Sequence, residues 1–211
     1  MPEARIEIEA EDGCIDALAA WPDGEARRPP VIVLAARTGL AQAERIARRL
    51  SARGYFTLVP DWAARPADER RADVESWLDW LADERRVEDA RVGIAGWGAG
   101  ADLALKAAAW RSERIAAAAA FHGRGFGSEA AVELAQRINA LVHLGYRAGR
   151  SPGRGMATLE AAFCAAGVDF EMEAYAAGED DRERVRLLEL FDRVLAPARS
   201  VPGPAPAACL H

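Results

Sequence analysis

The sequence is poor in the residues that staple or metallate a fold. Its three cysteines, Cys14, Cys164 and Cys209, stand far apart, too few and too scattered for a disulfide framework or a thiolate metal cluster. There are three histidines, and none occurs between positions 144 and 210. Among the carboxylates only Glu179, Asp180 and Asp181 cluster, and three adjacent acids cannot converge on one ion. No metal and no cofactor is therefore expected. Long apolar runs are also missing, so none approaches the roughly 20 residues of a membrane span. The N-terminal Met-Pro-Glu-Ala-Arg lacks the apolar core of a signal peptide. Positive charge is in deficit, with a formal net charge of −6. The Arg pairs at 27–28, 48–49, 70–71 and 85–86 are mixed with Asp and Glu rather than gathered into a basic stripe, which argues against a nucleic-acid partner. These absences predict a cytoplasmic, soluble protein that neither binds nucleic acid nor enters a membrane. No internal repeat is present.

What is there is an ordinary globular composition. The 211 residues are 51% hydrophobic, enough for one domain with a substantial core. Residues 5–10 alternate, with Ile6 and Ile8 against Glu7 and Glu9, and Glu11-Asp12-Gly13 is a turn signal; residues 5–21 therefore predict an antiparallel hairpin. From residue 31 onward the pattern changes to short apolar runs separated by helical stretches. Strands are predicted at 31–35, 55–59, 92–95, 115–121, 140–144 and 168–175, with helices at 41–53, 67–85, 101–110, 128–138, 156–166 and 182–195. Arg85 and Arg86 are placed as the basic end of the second helix. Continuous apolar strands are those covered on both faces, and their alternation with helices implies a mostly parallel sheet. Residues 1–195 are expected to form the one domain. The Pro- and Ala-rich tail, 196–211, is expected to be loosely ordered.

In such folds the ligand crevice lies beyond the carboxyl ends of the strands. That gathers the loops 36–40, 61–66, 96–100, 122–127, 145–155 and 176–181 around one site. The central stretch is Val92-Gly93-Ile94-Ala95-Gly96-Trp97-Gly98-Ala99-Gly100-Ala101. A strand, a tight glycine turn and a helix make the geometry of a nucleophile elbow, Gly-x-Ser-x-Gly. The outer glycines are Gly96 and Gly100; the centre, where Ser or Cys would stand, is Gly98. The same residues fit a variant dinucleotide fingerprint, Gly-x-Gly-x-x-Ala. That reading wants an acid after the next strand, which instead ends Phe121-His122-Gly123.

The order and spacing of several segments resemble the dienelactone hydrolase family of α/β-hydrolases, over residues 5–195. They are Pro30-Val31-Ile32-Val33-Leu34, Gly39-Leu40, Arg53-Gly54-Tyr55-Phe56, Val59-Pro60-Asp61, Val92 to Gly96, Ala119-Ala120-Phe121-His122-Gly123, and Ala166-Gly167-Val168-Asp169-Phe170 leading to Tyr175. The resemblance implies an α/β-hydrolase fold with helices on both faces of the sheet and an N-terminal antiparallel hairpin. It also implies a Cys or Ser, an Asp and a His acting together on an ester or lactone carbonyl. Carried over position by position, the nucleophile falls on Gly98, the acid on Ala148 and the His on Asp180. The family's glutamate after the first parallel strand falls on Ala36. All four are substituted.

The reading expected from these residues is a non-hydrolytic family member that binds a small carboxylate or a protein partner; a homodimer is left open. Its oxyanion-type donors would be the backbone N–H groups of Arg37 and Ala99. Arg37, Thr38, Trp97, Gly98, Ala99, His122 and Arg147 are the expected ligand-binding residues, with Arg124 and Arg150 as further arginines near the crevice. His122 and His143 are each expected to be hydrogen-bonded structural histidines. One alternative is a hydrolase with a relocated site, which requires a Ser, Thr or Cys beside His122 or His143. A second is a dinucleotide-binding protein.

Overall fold

The computed structural model describes residues 1–67, 69–88, 91–148 and 154–195, with the side chains of Arg37 and Arg154 left aside. The expectation for the tail, and the positions of Arg150, Cys209 and His211, fall outside the described residues.

Strand β1 (Glu3–Ala10) and strand β2 (Gly13–Ala20) form the predicted hairpin, with Glu3 opposite Ala20 and Ala10 opposite Gly13. Gly13 closes it at φ 118°, a conformation that glycine adopts without steric cost. The remaining strands are β3 (Pro30–Leu34), β4 (Phe56–Pro60), β5 (Val92–Trp97), β6 (Ile115–Phe121), β7 (Leu141–Arg147) and β8 (Phe170–Tyr175). They form an eight-stranded sheet ordered β1-β2-β4-β3-β5-β6-β7-β8. Pairing is antiparallel for β1–β2 and β2–β4 and parallel for every later pair.

The chain leaves β3 toward β4 on one side and later resumes at β5 on the other. This reversal of winding opens a crevice above the carboxyl ends of β3 and β5. It places the glycine turn after Trp97 beside the loop after Leu34.

Alternation along the strands divides the core in two. Ile32 and Leu34 pack with Val74, Trp77 and Leu78, and with Leu103, Ala104 and Phe163. These belong to helices α2 (Arg70–Asp83), α3 (Ala99–Trp110) and α5 (Arg154–Ala166). Val31 and Val33 face the other way, against Ala43, Ile46 and Leu50 and against Leu187, Leu190 and Phe191. Those lie on α1 (Leu40–Ser51) and α6 (Asp180–Val194). Both faces of the sheet are thus covered, which is why these strands read as unbroken apolar runs.

Element boundaries shift where local contacts outweigh the sequence pattern. The second helix spans Arg70–Asp83 rather than 67–85. Arg85 and Arg86 lie beyond its end, where Glu84 turns to an extended ψ of 115°. Arg86 instead lies over the Trp21 ring at 4.1 Å, and its carbonyl accepts from the Arg28 N–H at 2.8 Å. The predicted 128–138 helix is α4 (Glu129–Leu134), capped by the Ser128 side chain, followed by a 3-10 turn at Ala135–Arg137. Strand β7 runs on to Arg147, opposite Tyr175, so part of the expected 145–155 loop is strand.

Candidate functional site

The turn between β5 and α3 is built by close backbone approach. A Cβ on Gly96 would fall 2.1 Å from the Gly100 carbonyl oxygen, and one on Gly100 would fall 2.5 Å from the Leu34 carbonyl oxygen. Neither position tolerates a side chain. Gly98 differs: its φ is 58° and its ψ −119°, a region that L residues enter only under strain, yet a Cβ there would meet nothing within 4 Å. A side chain at position 98 would therefore project into open space. Glycine leaves that space open. The turn is anchored to the neighbouring strand by the Gly98 N–H, which donates to the Phe121 carbonyl at 2.9 Å.

That anchor leads to His122. Its φ of 58° makes it the one non-glycine residue at positive φ among those described, and such a backbone is held only where its surroundings over-determine it. Its N–H donates to the Gly145 carbonyl at 2.7 Å. Its Nε2 lies 2.6 Å from Glu183 Oε1, and the other carboxylate oxygen accepts from Trp97 Nε1 at 3.0 Å. Because the carboxylate accepts, His122 carries its proton on Nε2. Nδ1 is buried without a hydrogen-bond partner among the described residues. Glu183, only 6% exposed, thus ties the ends of β5 and β6 to the first turn of α6. The amino end of a helix favours a carboxylate there.

Behind this clamp lies a second layer. Tyr175 is edge-on to His122, with ring centroids 6.4 Å apart. Its hydroxyl donates to Glu173 Oε2 at 2.8 Å; with that proton committed, the Tyr175 hydroxyl oxygen accepts from His143 Nε2 at 2.9 Å. Burial, reinforced by the Glu173 carboxylate, pushes the Tyr175 phenol well above its ordinary value. Burial likewise lowers the His143 imidazole below its usual value, against the opposing pull of Glu173 and Glu171.

Above Gly98 opens a cleft of about 440 Å³, within the size range of small-molecule sites. Of the expected ligand-binding residues, Thr38, Trp97, Gly98, His122 and Arg147 line it, as does Arg124. Ala36 and Asp180 line it too, whereas Ala148 and Ala99 are not among the lining residues. Arg37 sits in the short 3-10 turn Arg37–Gly39 beside the cleft-lining Ala36 and Thr38. The loop 61–66, expected at the crevice, does not line it. Strand β4 lies on the far side of β3, and Trp62 is buried in the core while Arg65 pairs with Asp73 at 2.9 Å.

Neither histidine has a Ser, Thr or Cys among its hydrogen-bond partners within the described residues. Both described cysteines, Cys14 and Cys164, are exposed. Among the described residues no three His, Cys, Asp or Glu side chains converge as metal ligands, and no helix is long and apolar enough to cross a membrane.

Sequence reasoning passed over Glu183, the residue that organises the clamp. The signal was present. Buried positions on α6 include Glu183, Leu187, Leu190 and Phe191, a spacing of four, three and one that marks one helix face. An acid in register with that apolar stripe needs a buried partner.

A mostly parallel eight-stranded sheet with an N-terminal hairpin, and a glycine elbow at the reversal of winding, define an α/β-hydrolase fold. The dienelactone hydrolase family model matches residues 15–79 and 62–179, and the chain belongs to that family. Solved structures agree on the fold. A protein assigned as a dienelactone hydrolase from Klebsiella pneumoniae subsp. pneumoniae superposes with a TM-score of 0.80 at 19% identity, covering 93% of this chain and 99% of that one. The dienelactone hydrolase-like promiscuous phosphotriesterase P91 from metagenomic libraries gives 0.77 at 20% identity, with 92% and 98% covered. A dienelactone hydrolase from Anabaena variabilis gives 0.73 at 18% identity, again covering 92% and 98%. Among curated proteins, none matches the sequence.

Proposed function

We propose that this protein is a dienelactone hydrolase family member that has lost the family's nucleophile, acid and histidine, and uses the cleft above Gly98 to bind a small carboxylate without hydrolysing it. The observation that carries the reading is the turn itself. Its outer glycines are sterically required, its centre has room for a side chain, and the residue there has none. An acyl-transfer enzyme needs an attacking atom at that point and a base beside it. Here the nearest imidazole has one nitrogen committed to Glu183 and the other buried.

Binding is supported by what faces the cleft. Arg124 and Arg147 stand on its wall, with Thr38 and the strand–helix turn nearby. Next to the cleft-lining Gly98, the first N–H groups of α3 have no partner within their helix, and a guanidinium suits a carboxylate. The backbone of Arg37 lies in the turn between the cleft-lining Ala36 and Thr38. The working location is the cytoplasm.

The test offers activated esters and simple lactones to purified protein, alongside calorimetric titration with short-chain carboxylates. The expected result is no turnover above buffer and carboxylate binding that Arg147→Gln weakens. Turnover that exceeds buffer and disappears in His122→Ala would overturn the reading.

A further inference from the structure

The cleft carries charge of both signs that no described residue neutralises. Arg124 and Arg147 line one part of its wall and Asp180 lines another. Among the described residues none of the three side chains has an ion-pair or hydrogen-bond partner, and they do not pair with one another. This contrasts with the acids around them: Glu183 is held by His122 and Trp97, and Glu173 by Tyr175, Arg182 and Arg186. Asp180 alone among the lining acids has its carboxylate uncommitted.

The topology keeps these charges apart. Arg147 ends β7, Arg124 follows β6, and Asp180 opens α6 after β8. Strand β8 is two places from β6 in the sheet, and adjacent strands lie about 4.8 Å apart. The two cations and the acid therefore reach the cleft from different strand and helix ends. The lining also includes small or apolar side chains at Ala36, Ala43, Ile46 and Ala177.

Taking the anion-binding reading above as its basis, we propose that the ligand is a zwitterionic aminocarboxylate. Its carboxylate meets Arg124 and Arg147, its ammonium meets Asp180, and its short aliphatic body lies along the alanine side chains. A plain carboxylate would satisfy the arginines and leave Asp180 facing an apolar chain. A neutral ester would satisfy neither end.

The experiment is isothermal titration of the full chain with four probes of one carbon skeleton: pentanoate, pentylamine, 5-aminopentanoate and norvaline. At least one aminocarboxylate is expected to bind about fivefold more tightly than pentanoate, the gain of one partly exposed ion pair. Asp180→Asn is expected to abolish that advantage without weakening pentanoate, since it removes a negative charge from the cleft that takes the carboxylate. Arg147→Gln should weaken pentanoate and the aminocarboxylates together, with circular dichroism verifying that both variants stay folded. If pentanoate binds through Arg147 but neither aminocarboxylate exceeds it, or if the advantage persists in Asp180→Asn, the zwitterion proposal is overturned and the carboxylate reading stands. If none of the four binds, both fall.

Discussion

A single atom of side chain separates three glycines that look alike in sequence. Gly96 and Gly100 are fixed by carbonyl oxygens pressed against them, whereas Gly98 is constrained only by its dihedral angles. Substitution should therefore separate them. Gly98→Ala is expected to cost about 1–2 kcal/mol, the strain of an L residue at that φ. Gly96→Ala should cost about 3 kcal/mol or more, because a backbone oxygen cannot move aside cheaply. Urea unfolding of the two variants checks the order. The sequence motif marks all three glycines equally, since it reports identity and not which atoms crowd each one.

His143 yields a pH prediction at the same scale. Its ordinary value is 6.5 and burial holds the folded imidazole below that. Below pH 6.5 the unfolded chain takes up a proton that the folded chain resists, so stability falls as the pH drops from there. The groups facing it are Glu171, Glu173, Tyr175 and Arg186. The carboxylates titrate at lower pH and add their own loss further down. His143→Gln should flatten the slope of stability between pH 6.5 and pH 5, measured by urea midpoints.

At the level of whole elements, α6 bears the most varied duties. One face supplies Leu187, Leu190 and Phe191 to the core, and its first turn supplies Glu183 to the clamp. Val185 is 52% exposed. Leu187→Ala is expected to cost about 2–4 kcal/mol through the cavity left behind. Val185→Ala should change stability by less than about 0.5 kcal/mol. Thermal unfolding of the pair tests whether the face is assigned correctly. The periodic stripe made this helix legible from sequence to within two residues at its start. Its acid was not legible, because periodicity marks positions and does not say what partner a buried carboxylate finds. Strand β7 was read short for a related reason: Gly145 looks like a loop residue, but its lack of a side chain is what lets Phe121 and Tyr175 pack against the strand. The second helix was extended too far because basic residues past its end suit a helix dipole. The contact that holds Arg86 is with Trp21, 65 positions away and invisible in the local pattern.

For the molecule as a whole, strand order and the position of the cleft follow from one reversal of winding at β3. The hairpin, the parallel strands and the glycine elbow were all readable, because each leaves a local signature of period or spacing. Which loops reach the cleft was not, since that depends on the place of β4 in the sheet, and 61–66 was wrongly included.

The clamp joins residues far apart in the chain: Glu183 meets Trp97 across 86 positions and His122 across 61. Contacts of such sequence separation raise the contact order, which slows folding. A chain emerging from the ribosome can wind its central strands before α6 exists, but it cannot yet hold the mouth of the cleft in shape. The mouth of the cleft is thus tied by α6, and a truncation just before Asp180 would remove Glu183 and both of its contacts.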